Sequence, residues 1–255
     1  MRLRNIVFIS IVCFVILSCK KENKNTVAIT STSAKNIEDS TILSYTINPK
    51  KQSLKFYWKN SQNSSIRTFK NLKTEVESIN QELLFAMNGG MFKKDFSPQG
   101  LYVEKGKTLS KLDTINKGFG NFYLQPNGVF LITENGAPII TKTQDLKIYK
   151  DIYYATQSGP MLVIDGTLHP KFNKGSSNLN IRNGVGALPN GDLLFAMSKE
   201  KINFYDFATF FKNKGCENAL YLDGFVSKTY LPSKKWKQLE GVFGVIIAQT
   251  KPINN

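Results

Sequence analysis

The feature that most constrains the fold of this chain is a degenerate internal repeat. The pentapeptide LLFAM occurs at residues 83–87 and again at residues 193–197. Three longer pairs of segments also resemble each other: residues 83–90 and 152–159, residues 100–110 and 159–169, and residues 118–132 and 184–197. Two copies of this length are too few for a solenoid. The repeat therefore predicts two related β-units in one domain, with a candidate site where they meet.

The first LLFAM copy runs directly into Asn88, Gly89 and Gly90. A short apolar run that stops at a glycine pair predicts a buried strand ending in a tight turn, because glycine adopts positive φ and lets a ligand approach the backbone. Asn88 adds an amide donor and a carbonyl acceptor at the end of that strand. On its own, such a stretch is more often a structural turn than a binding site.

The chain begins with the pattern of a targeting segment. Arg2 and Arg4 precede an apolar run at residues 6–17, which is short for a membrane span. We therefore predict a signal peptide over residues 1–18. The tetrapeptide ILSC, which ends at Cys19, resembles a bacterial lipobox. That resemblance implies cleavage before Cys19 and acylation of its thiol.

Residues 19–40 are rich in Lys, Asn, Ser and Thr and contain few large apolar side chains. This composition predicts a flexible tether that holds a folded domain, residues 41–255, away from a membrane. We therefore expect a cell-envelope protein that is lipid-anchored through Cys19 to a bacterial membrane, on the outer membrane or the periplasmic side.

The cysteine content excludes a disulfide framework. Cys13 leaves with the predicted signal peptide and Cys19 carries the lipid, so Cys216 has no partner within the chain. Cys216 follows a predicted helix end at Gly215, and we interpret it as a buried structural thiol.

The formal charge of +15 falls to +13 when Arg2 and Arg4 are removed. The lysines are scattered along the chain, whereas nucleic-acid binding favours basic residues clustered on one face. We expect a monomer that binds no nucleic acid, with a basic surface that favours anionic glycans or lipid head groups.

Hydrophobic periodicity predicts an α+β fold: a largely antiparallel twisted β-sheet from two related units, with a few covering helices. One helix is expected over residues 71–84 with Asn71 as N-cap. A second is expected over residues 204–214, capped by Asn203 or Asp206 and packed through its phenylalanines. Four dipeptides between apolar runs mark turns, and the last three are the strongest hairpin signals: Lys105-Gly106, Asn127-Gly128, Asp165-Gly166 and Asn190-Gly191.

Few side chains in this sequence suit catalysis. No Cys/His cluster has the spacing of metal ligands, and His169 is the single histidine, so we expect no metal and no cofactor. We expect His169 to lie on the surface, and no phosphate-binding loop is present. Polar residues at the ends of apolar strands remain as candidates, because such junctions often present functional groups: Asn88, Gln157, Ser158, Arg182, Asn183, Asp223 and Ser227.

Seven segments occur in an order that identifies a family: NGGMF, SPQGLYVEKGK, GFGNFYLQPNGVF, ATQSGPMLVIDG, IRNGVGALPNGDLLFAMS, NFYDFATFF and ALYLDG. Together they resemble the phosphodiester glycosidase domain, whose family includes the enzyme that uncovers mannose 6-phosphate. The resemblance covers about residues 45–248, nearly all of the expected domain. It implies a hydrolase that cleaves the glycosidic bond of a sugar-1-phosphodiester in the cell envelope or in an external glycan.

The resemblance also implies site residues. Asp223 and Arg182 are the implied catalytic pair. The implied substrate-binding residues come from the Asn-Gly-Gly, Ser-Gly-Pro and Asp-Gly elements and from neighbouring strand ends: Asn88, Gly89, Gly90, Gln157, Ser158, Gly159, Asn183, Gly224 and Ser227.

The chemistry of these groups suits an anionic sugar diester. Arg182 can pair with a phosphate oxyanion, and backbone N–H groups of glycine turns can form an anion nest. Asp223 can act as general acid or base at the glycosidic oxygen. We expect Arg182 and Asp223 to lie close together in the shared cleft. Glu104 is the second candidate carboxylate, and its place before a turn predicts solvent exposure.

The sequence departs from the family pattern after Asp223-Gly224. Many members have a run of small residues there, whereas this chain has Phe225 and Val226. A bulkier loop at the site keeps a second hypothesis open, namely a non-catalytic glycan-binding or envelope-assembly lipoprotein that uses the same cleft.

Overall fold

The computed structural model of the protein describes residues 40–223 and 225–253. In this part of the chain the strands are β1 (Ile42–Ile47), β2 (Leu54–Tyr57), β3 (Gln81–Gly90), β4 (Tyr102–Glu104), β5 (Lys107–Ser110), β6 (Gly128–Thr133), β7 (Pro138–Lys142), β8 (Ile152–Ser158), β9 (Met161–Ile164), β10 (Thr167–Leu168), β11 (Asn183–Ala187), β12 (Leu193–Ser198), β13 (Asn218–Asp223), β14 (Thr229–Leu231), β15 (Trp236–Lys237) and β16 (Val245–Pro252). The α-helices are α1 (Phe69–Ser78) and α2 (Phe204–Asn213), and short 3-10 helices cover Asn121–Tyr123, Thr143–Ile148 and Pro232–Lys234.

The strands form three sheets rather than the single sheet expected. The first sheet has the order β1-β12-β11-β13-β9-β10, the second β15-β14-β3-β16-β2, and the third β5-β4-β8-β6-β7. The strand pairs within the described residues are antiparallel. The predicted α+β class with a dominant antiparallel arrangement is therefore confirmed.

The main core lies between the three sheets. Phe56 of the second sheet packs on Phe130 of the third at a centroid distance of 5.2 Å, and Phe130 packs on Phe195 of the first at 6.1 Å. All three rings are buried. Burying one such side chain stabilises the fold by about 1.5–3 kcal/mol, so these contacts hold the sheets together.

Helix α2 covers the outer face of the first sheet, as predicted. Asn203 caps it by accepting a hydrogen bond from the backbone of Asp206 at 2.8 Å. Phe207, Phe210 and Phe211 are buried against that sheet.

Helix α1 differs from its prediction at both ends. Its N-cap is Thr68, whose hydroxyl accepts from the backbone N–H of Asn71 at 3.0 Å, so Asn71 is not the cap. The helix ends at Ser78, and Asn80 takes a positive φ of 60° before β3 begins at Gln81. The apolar spacing continued across this turn into the strand, where Leu83 is also buried.

The hairpin signals had mixed outcomes. Asp165 and Gly166 both have positive φ and join β9 to β10, as predicted, and Lys105 and Gly106 join β4 to β5 in the same way. Asn190-Gly191 lies in a longer connection between β11 and β12, where of the two only Gly191 has positive φ. Asn127-Gly128 is not a hairpin turn.

Asn127 instead donates from Nδ2 to the carbonyl oxygen of Phe122, and Gly128 begins β6. Gly128 is required there for packing, since a Cβ would lie 2.4 Å from Met161 Sδ. One pair of repeated segments does form matching hairpins. Residues 100–110 contain the β4–β5 hairpin and residues 159–169 contain the β9–β10 hairpin, but the two hairpins belong to different sheets.

The predicted signal peptide, the acylated Cys19 and all of the tether except Ser40 lie outside the described residues. These assignments therefore remain predictions. No helix within the described residues is both long and apolar enough to cross a membrane.

Candidate active site

Asp223 is the carboxylate on which the candidate site is built. It ends β13 and is 6% exposed. Its Oδ2 accepts from Asn88 Nδ2 at 3.2 Å, and its Oδ1 accepts from the backbone N–H of Phe225 at 3.3 Å. Asp223 also lines a cavity of about 350 Å³. A fixed carboxylate that can be reached from a cavity is suited to proton transfer.

A β-bulge directs Asp223 into this position. Asn183 pairs with Asp223 and Gly184 pairs with Tyr221, so Leu222 is an extra residue in β13. Such bulges redirect neighbouring side chains and often lie next to functional sites. The Leu222 carbonyl oxygen accepts from Ser158 Oγ at 2.7 Å, which ties the end of β8 to the bulge.

Asn183 connects the strands around Asp223 through its side-chain amide. Its Nδ2 donates to the backbone oxygen and to Oδ1 of Asn88, at 2.9 and 3.0 Å. Its Oδ1 accepts from the backbone N–H of Asp223 at 2.9 Å and lies 3.3 Å from Ser227 Oγ. Three hydrogen bonds to two neighbouring strands hold this side chain in place, so Asn183 acts as a fixed brace.

Asn88 and Ser227 complete this network. Asn88 Oδ1 also accepts from the backbone N–H of Lys228 at 2.9 Å, and the Ser227 hydroxyl donates to the Asp223 carbonyl oxygen. The structure therefore brings Asn88, Asn183, Asp223 and Ser227 together from three strands and the loop after β13.

Gly89 and Gly90 do not form the predicted turn. Both belong to β3, and neither has positive φ. Gly89 is the extra residue of a second bulge, because Asn88 pairs with Ile246 and Gly90 with Val245. A Cβ on Gly89 would lie 2.6 Å from the Ile247 side chain, so close packing accounts for this glycine.

Gly159 is also required for packing. A Cβ on Gly159 would lie 2.6 Å from that of Asn127, and the peptide bond to Pro160 is cis. The sequence also predicts an anion nest formed by two glycine turns. For Gly89 and Gly90 this prediction is wrong, because both residues lie within β3 and form no turn. Gly224 lies outside the described residues.

Gln157 is directed away from Asp223. Its Oε1 accepts from the backbone N–H groups of Leu101 and Asp113, at 3.0 and 2.9 Å. Its Nε2 donates to the Asp113 carbonyl oxygen and to Thr143 Oγ1, at 2.7 and 3.2 Å. All four hydrogen-bonding positions are used, so Gln157 holds the segment around Asp113 in place.

Arg182 is fully buried, and the guanidinium is held by protein groups. Nε donates to the Ile202 carbonyl oxygen at 2.8 Å, one Nη donates to both oxygens of Asn178 at 2.9 Å, and the other Nη donates to Tyr221 Oη at 3.4 Å. The guanidinium carbon also lies 3.6 Å from the centroid of the Phe204 ring. Among the described residues, four of its five N–H groups are thus engaged, which leaves no pair for a bidentate phosphate contact.

Tyr221 interacts with both members of the expected pair: its hydroxyl accepts from Arg182 Nη at 3.4 Å, and its pKa responds to the charges of Arg182 and Asp223. Burial raises the pKa of the Tyr221 hydroxyl strongly; the Arg182 charge lowers this pKa and the Asp223 charge raises it. The Asn121 side chain, which lines the cavity, also lowers this pKa. Tyr221 therefore responds to a group on the cavity wall as well as to the buried arginine.

The remaining cavity lining is mostly apolar and was largely missed by sequence reasoning. Besides Asp223 it comprises Met91, Phe92, Gln99, Phe119, Gly120, Asn121, Phe122, Phe225 and Val226. Seven of these nine residues lie in the quoted segments NGGMF, SPQGLYVEKGK and GFGNFYLQPNGVF, whereas Phe225 and Val226 lie in the loop where the chain departs from the family pattern. The sequence signal that could have predicted this lining is the presence of apolar residues next to the polar residues at strand ends.

His169, Cys216 and Glu104 lie apart from this cavity. The expected surface position of His169 is wrong: it is buried, its Nε2–H donates to the Gln125 carbonyl oxygen at 3.1 Å, and burial lowers its pKa to about 4. Cys216 is buried as expected, and burial raises the pKa of its thiol to about 12. Glu104 is half-buried, accepts from Tyr102 Oη at 2.7 Å and lines a different cavity.

The chain resembles known proteins in both sequence and structure. The curated protein YigE of Escherichia coli (strain K12), described as uncharacterized, is 36% identical over 192 residues, which are 75% of this chain and 74% of YigE.

Solved structures share the fold at low identity. The catalytic domain of zebrafish N-acetylglucosamine-1-phosphodiester alpha-N-acetylglucosaminidase, auto-inhibited by its pro-peptide, superposes with a TM-score of 0.57 at 14% identity, covering 82% of this chain and 81% of that chain. A Burkholderia pseudomallei protein described as exported gives a TM-score of 0.53 at 12% identity, covering 82% of this chain and 73% of the other.

Residues 81–246 match the model of the phosphodiester glycosidase family. This range contains the described candidate residues from Asn88 to Ser227, together with the two bulges that position Asn88 and Asp223. The resemblance found in the seven sequence segments is thereby confirmed, and the chain belongs to the phosphodiester glycosidase family.

Proposed function

We propose that the protein is a hydrolase that cleaves the glycosidic bond of a sugar-1-phosphodiester, with Asp223 as the general acid or base. The family membership supports glycosidase-type hydrolysis. The observation that carries the proposal is the Asp223 carboxylate, which is fixed by Asn88 and lines the cavity.

In the proposed reaction, water adds to the anomeric carbon of the sugar and the bond from that carbon to the phosphate oxygen breaks. The products are the free sugar and a phosphate monoester. A phosphate monoester is a good leaving group, so proton transfer by one carboxylate is sufficient assistance. This differs from glycosidases that use a pair of carboxylates.

The surrounding polar residues serve as positioning residues in this proposal. Asn183 and Ser227 bond the backbone of Asp223, while Asn88 bonds its carboxylate. Arg182 supports the site through Tyr221 rather than through the phosphate. Ser158 and Gln157 fix neighbouring backbone.

A second candidate function is non-catalytic glycan binding in the same cavity. The observation that favours it is the described cavity lining, which contains one carboxylate, two side-chain amides and mainly apolar residues. A binding protein requires no proton donor, so this alternative predicts that Asp223→Asn leaves ligand affinity intact and that no substrate is turned over.

We also propose that the protein acts in the bacterial cell envelope and is attached to a membrane through an acylated Cys19. The lipobox-like sequence and the polar residues that follow it support this location. A monomer that recognises a sugar phosphate or an anionic glycan, and no nucleic acid, fits the scattered basic charge.

The test is a panel of methyl phosphodiesters of the 1-phosphates of glucose, galactose, mannose and N-acetylglucosamine, in both anomeric forms. Released monosaccharide is measured for the domain beginning at residue 41. Release from at least one diester, lost on Asp223→Asn, is expected. If all eight diesters remain intact while the same sugars bind, the binding alternative replaces the proposal.

A further inference from the structure

Two phenylalanines of the candidate site are exposed to an unusual degree. Phe119 is 100% exposed and Phe225 is 91% exposed, the highest values among the large hydrophobic side chains of residues 40–223 and 225–253. Both line the same cavity as Asp223. Exposed large apolar side chains at a cavity mark binding surfaces rather than core.

The backbone holds Phe119 in this position. A Cβ on Gly118 would lie 2.4 Å from the Tyr123 ring, and Gly120 has φ of 92°. Tyr123 is in turn fixed by its hydrogen bond to Asp113 Oδ2 at 3.0 Å. The exposure of Phe119 therefore follows from a glycine-flanked segment packed on a fixed ring.

The polar part of the cavity lining matches a neutral, hydroxylated ligand. Gln99 and Asn121 contribute side-chain amides, which both donate and accept hydrogen bonds, and Asp223 contributes the carboxylate. Among the described residues that line this cavity there is no lysine or arginine. Arg182, the residue expected to pair with the phosphate, is engaged by Ile202, Asn178 and Tyr221.

We infer that Phe119 and Phe225 are specificity-determining residues that pack against the pyranose ring of the substrate, and that the sugar contributes more of the affinity than the phosphate. The inference rests on the proposed function, since it places the glycosidic oxygen at Asp223. The cavity of about 350 Å³ is within the range of small-ligand sites and large enough for one sugar ring. An aromatic ring offers a rigid apolar face at low conformational cost, which suits the apolar face of a pyranose.

This inference explains why a bulky residue stands at position 225. The loop that distinguishes this chain from many family members then contacts the bound sugar instead of blocking the cavity. Because Phe225 lies two residues after Asp223 and both line the same cavity, ring contact and proton transfer act on the same sugar residue.

The test is isothermal titration calorimetry of the domain beginning at residue 41. The probes are N-acetylglucosamine 1-phosphate, glucose 1-phosphate and inorganic phosphate. At least one sugar phosphate is expected to bind about tenfold or more tightly than inorganic phosphate. Phe119→Ala and Phe225→Ala are each expected to weaken binding of this sugar phosphate by about tenfold or more, since each removes one aromatic ring that the bound sugar would cover. Phe225→Trp should retain affinity.

Ile79→Ala is the matched control, because Ile79 is 65% exposed and lines a different cavity. Wild-type affinity in both alanine variants, equal affinity for phosphate and sugar phosphates, or no binding of either sugar phosphate overturns the inference. Sugar binding that depends on both rings, without release of sugar from any diester, contradicts the hydrolase proposal alone. Hydrolysis with KM unchanged in both variants contradicts the ring contact alone.

Discussion

Replacing Arg182 distinguishes a residue that supports the fold from one that binds phosphate. The guanidinium is fully buried, makes four hydrogen bonds and lies against Phe204. Arg182→Met keeps the approximate length of the side chain but leaves the Ile202 carbonyl oxygen, the Asn178 oxygens and the Tyr221 hydroxyl without their donor.

The magnitude follows from those partners. Each buried group that loses its partner costs about 1–3 kcal/mol, and partial relaxation makes the sum smaller than additive. We expect the free energy of unfolding to fall by about 3–5 kcal/mol, the loss that several unpaired neutral groups give after partial relaxation. Arg182→Lys should lose nearly as much, because an ammonium group cannot reproduce the planar stacking and the forked geometry.

The assay is urea unfolding followed by circular dichroism, with Arg67→Met as matched control. Arg67 also places its guanidinium over an aromatic ring, 3.9 Å from the centroid of Phe96, but it is exposed. Its replacement should cost about 0.5–1 kcal/mol. Unchanged stability of Arg182→Met, together with a large loss of hydrolysis, would refute this reasoning and restore a direct role with the phosphate.

Three further predictions follow from the site, the buried histidine and the N-terminal segment. Asn183→Ala should lower the free energy of unfolding by about 2–4 kcal/mol in urea titrations, whereas the exposed Asn116→Ala should leave it unchanged within about 0.5 kcal/mol; equal values for the two variants would contradict the role of Asn183 as a brace. His169 has a folded pKa of about 4, below its unfolded value near 6.5, so the unfolded chain binds the extra proton and stability should fall by about 1.4 kcal/mol per pH unit between those values as pH falls. His169→Gln should reduce that slope, and an identical slope would exclude His169 as its source. Cys19→Ala should move the full-length protein from the membrane fraction to the soluble fraction on cell fractionation, and unchanged membrane association would count against acylation.

Local patterns predicted the elements that depend on neighbouring residues. Helix α2, with its Asn203 cap and phenylalanine face, and the Asp165-Gly166 turn follow from short-range sequence signals. The convergence of Asn88 with Asp223 was also predictable, because both residues follow apolar runs and were candidates for one shared cleft.

The contacts of Arg182 and Gln157 could not be predicted in the same way. Arg182 bonds Asn178 and Ile202, which the chain brings together only after folding, and a bulge at Leu222 sets the position of Tyr221. Strand periodicity assumes unbroken alternation, so two bulges at the site shift the side chains that a sequence pattern assigns to each face. Gly89 illustrates the same limit, since a glycine required for packing and one required for positive φ look alike in sequence.

Hydrolysis by Asp223→Asn tests the proposed chemistry most directly. The measurement is kcat for release of sugar from the best diester of the panel, paired with calorimetric affinity for the corresponding sugar 1-phosphate. Because asparagine can still accept a hydrogen bond from Asn88 but cannot transfer a proton, we expect kcat to fall by about 10²–10⁴-fold while affinity changes little. A kcat for Asp223→Asn equal to that of the wild type would contradict the assignment of Asp223 as the acid or base.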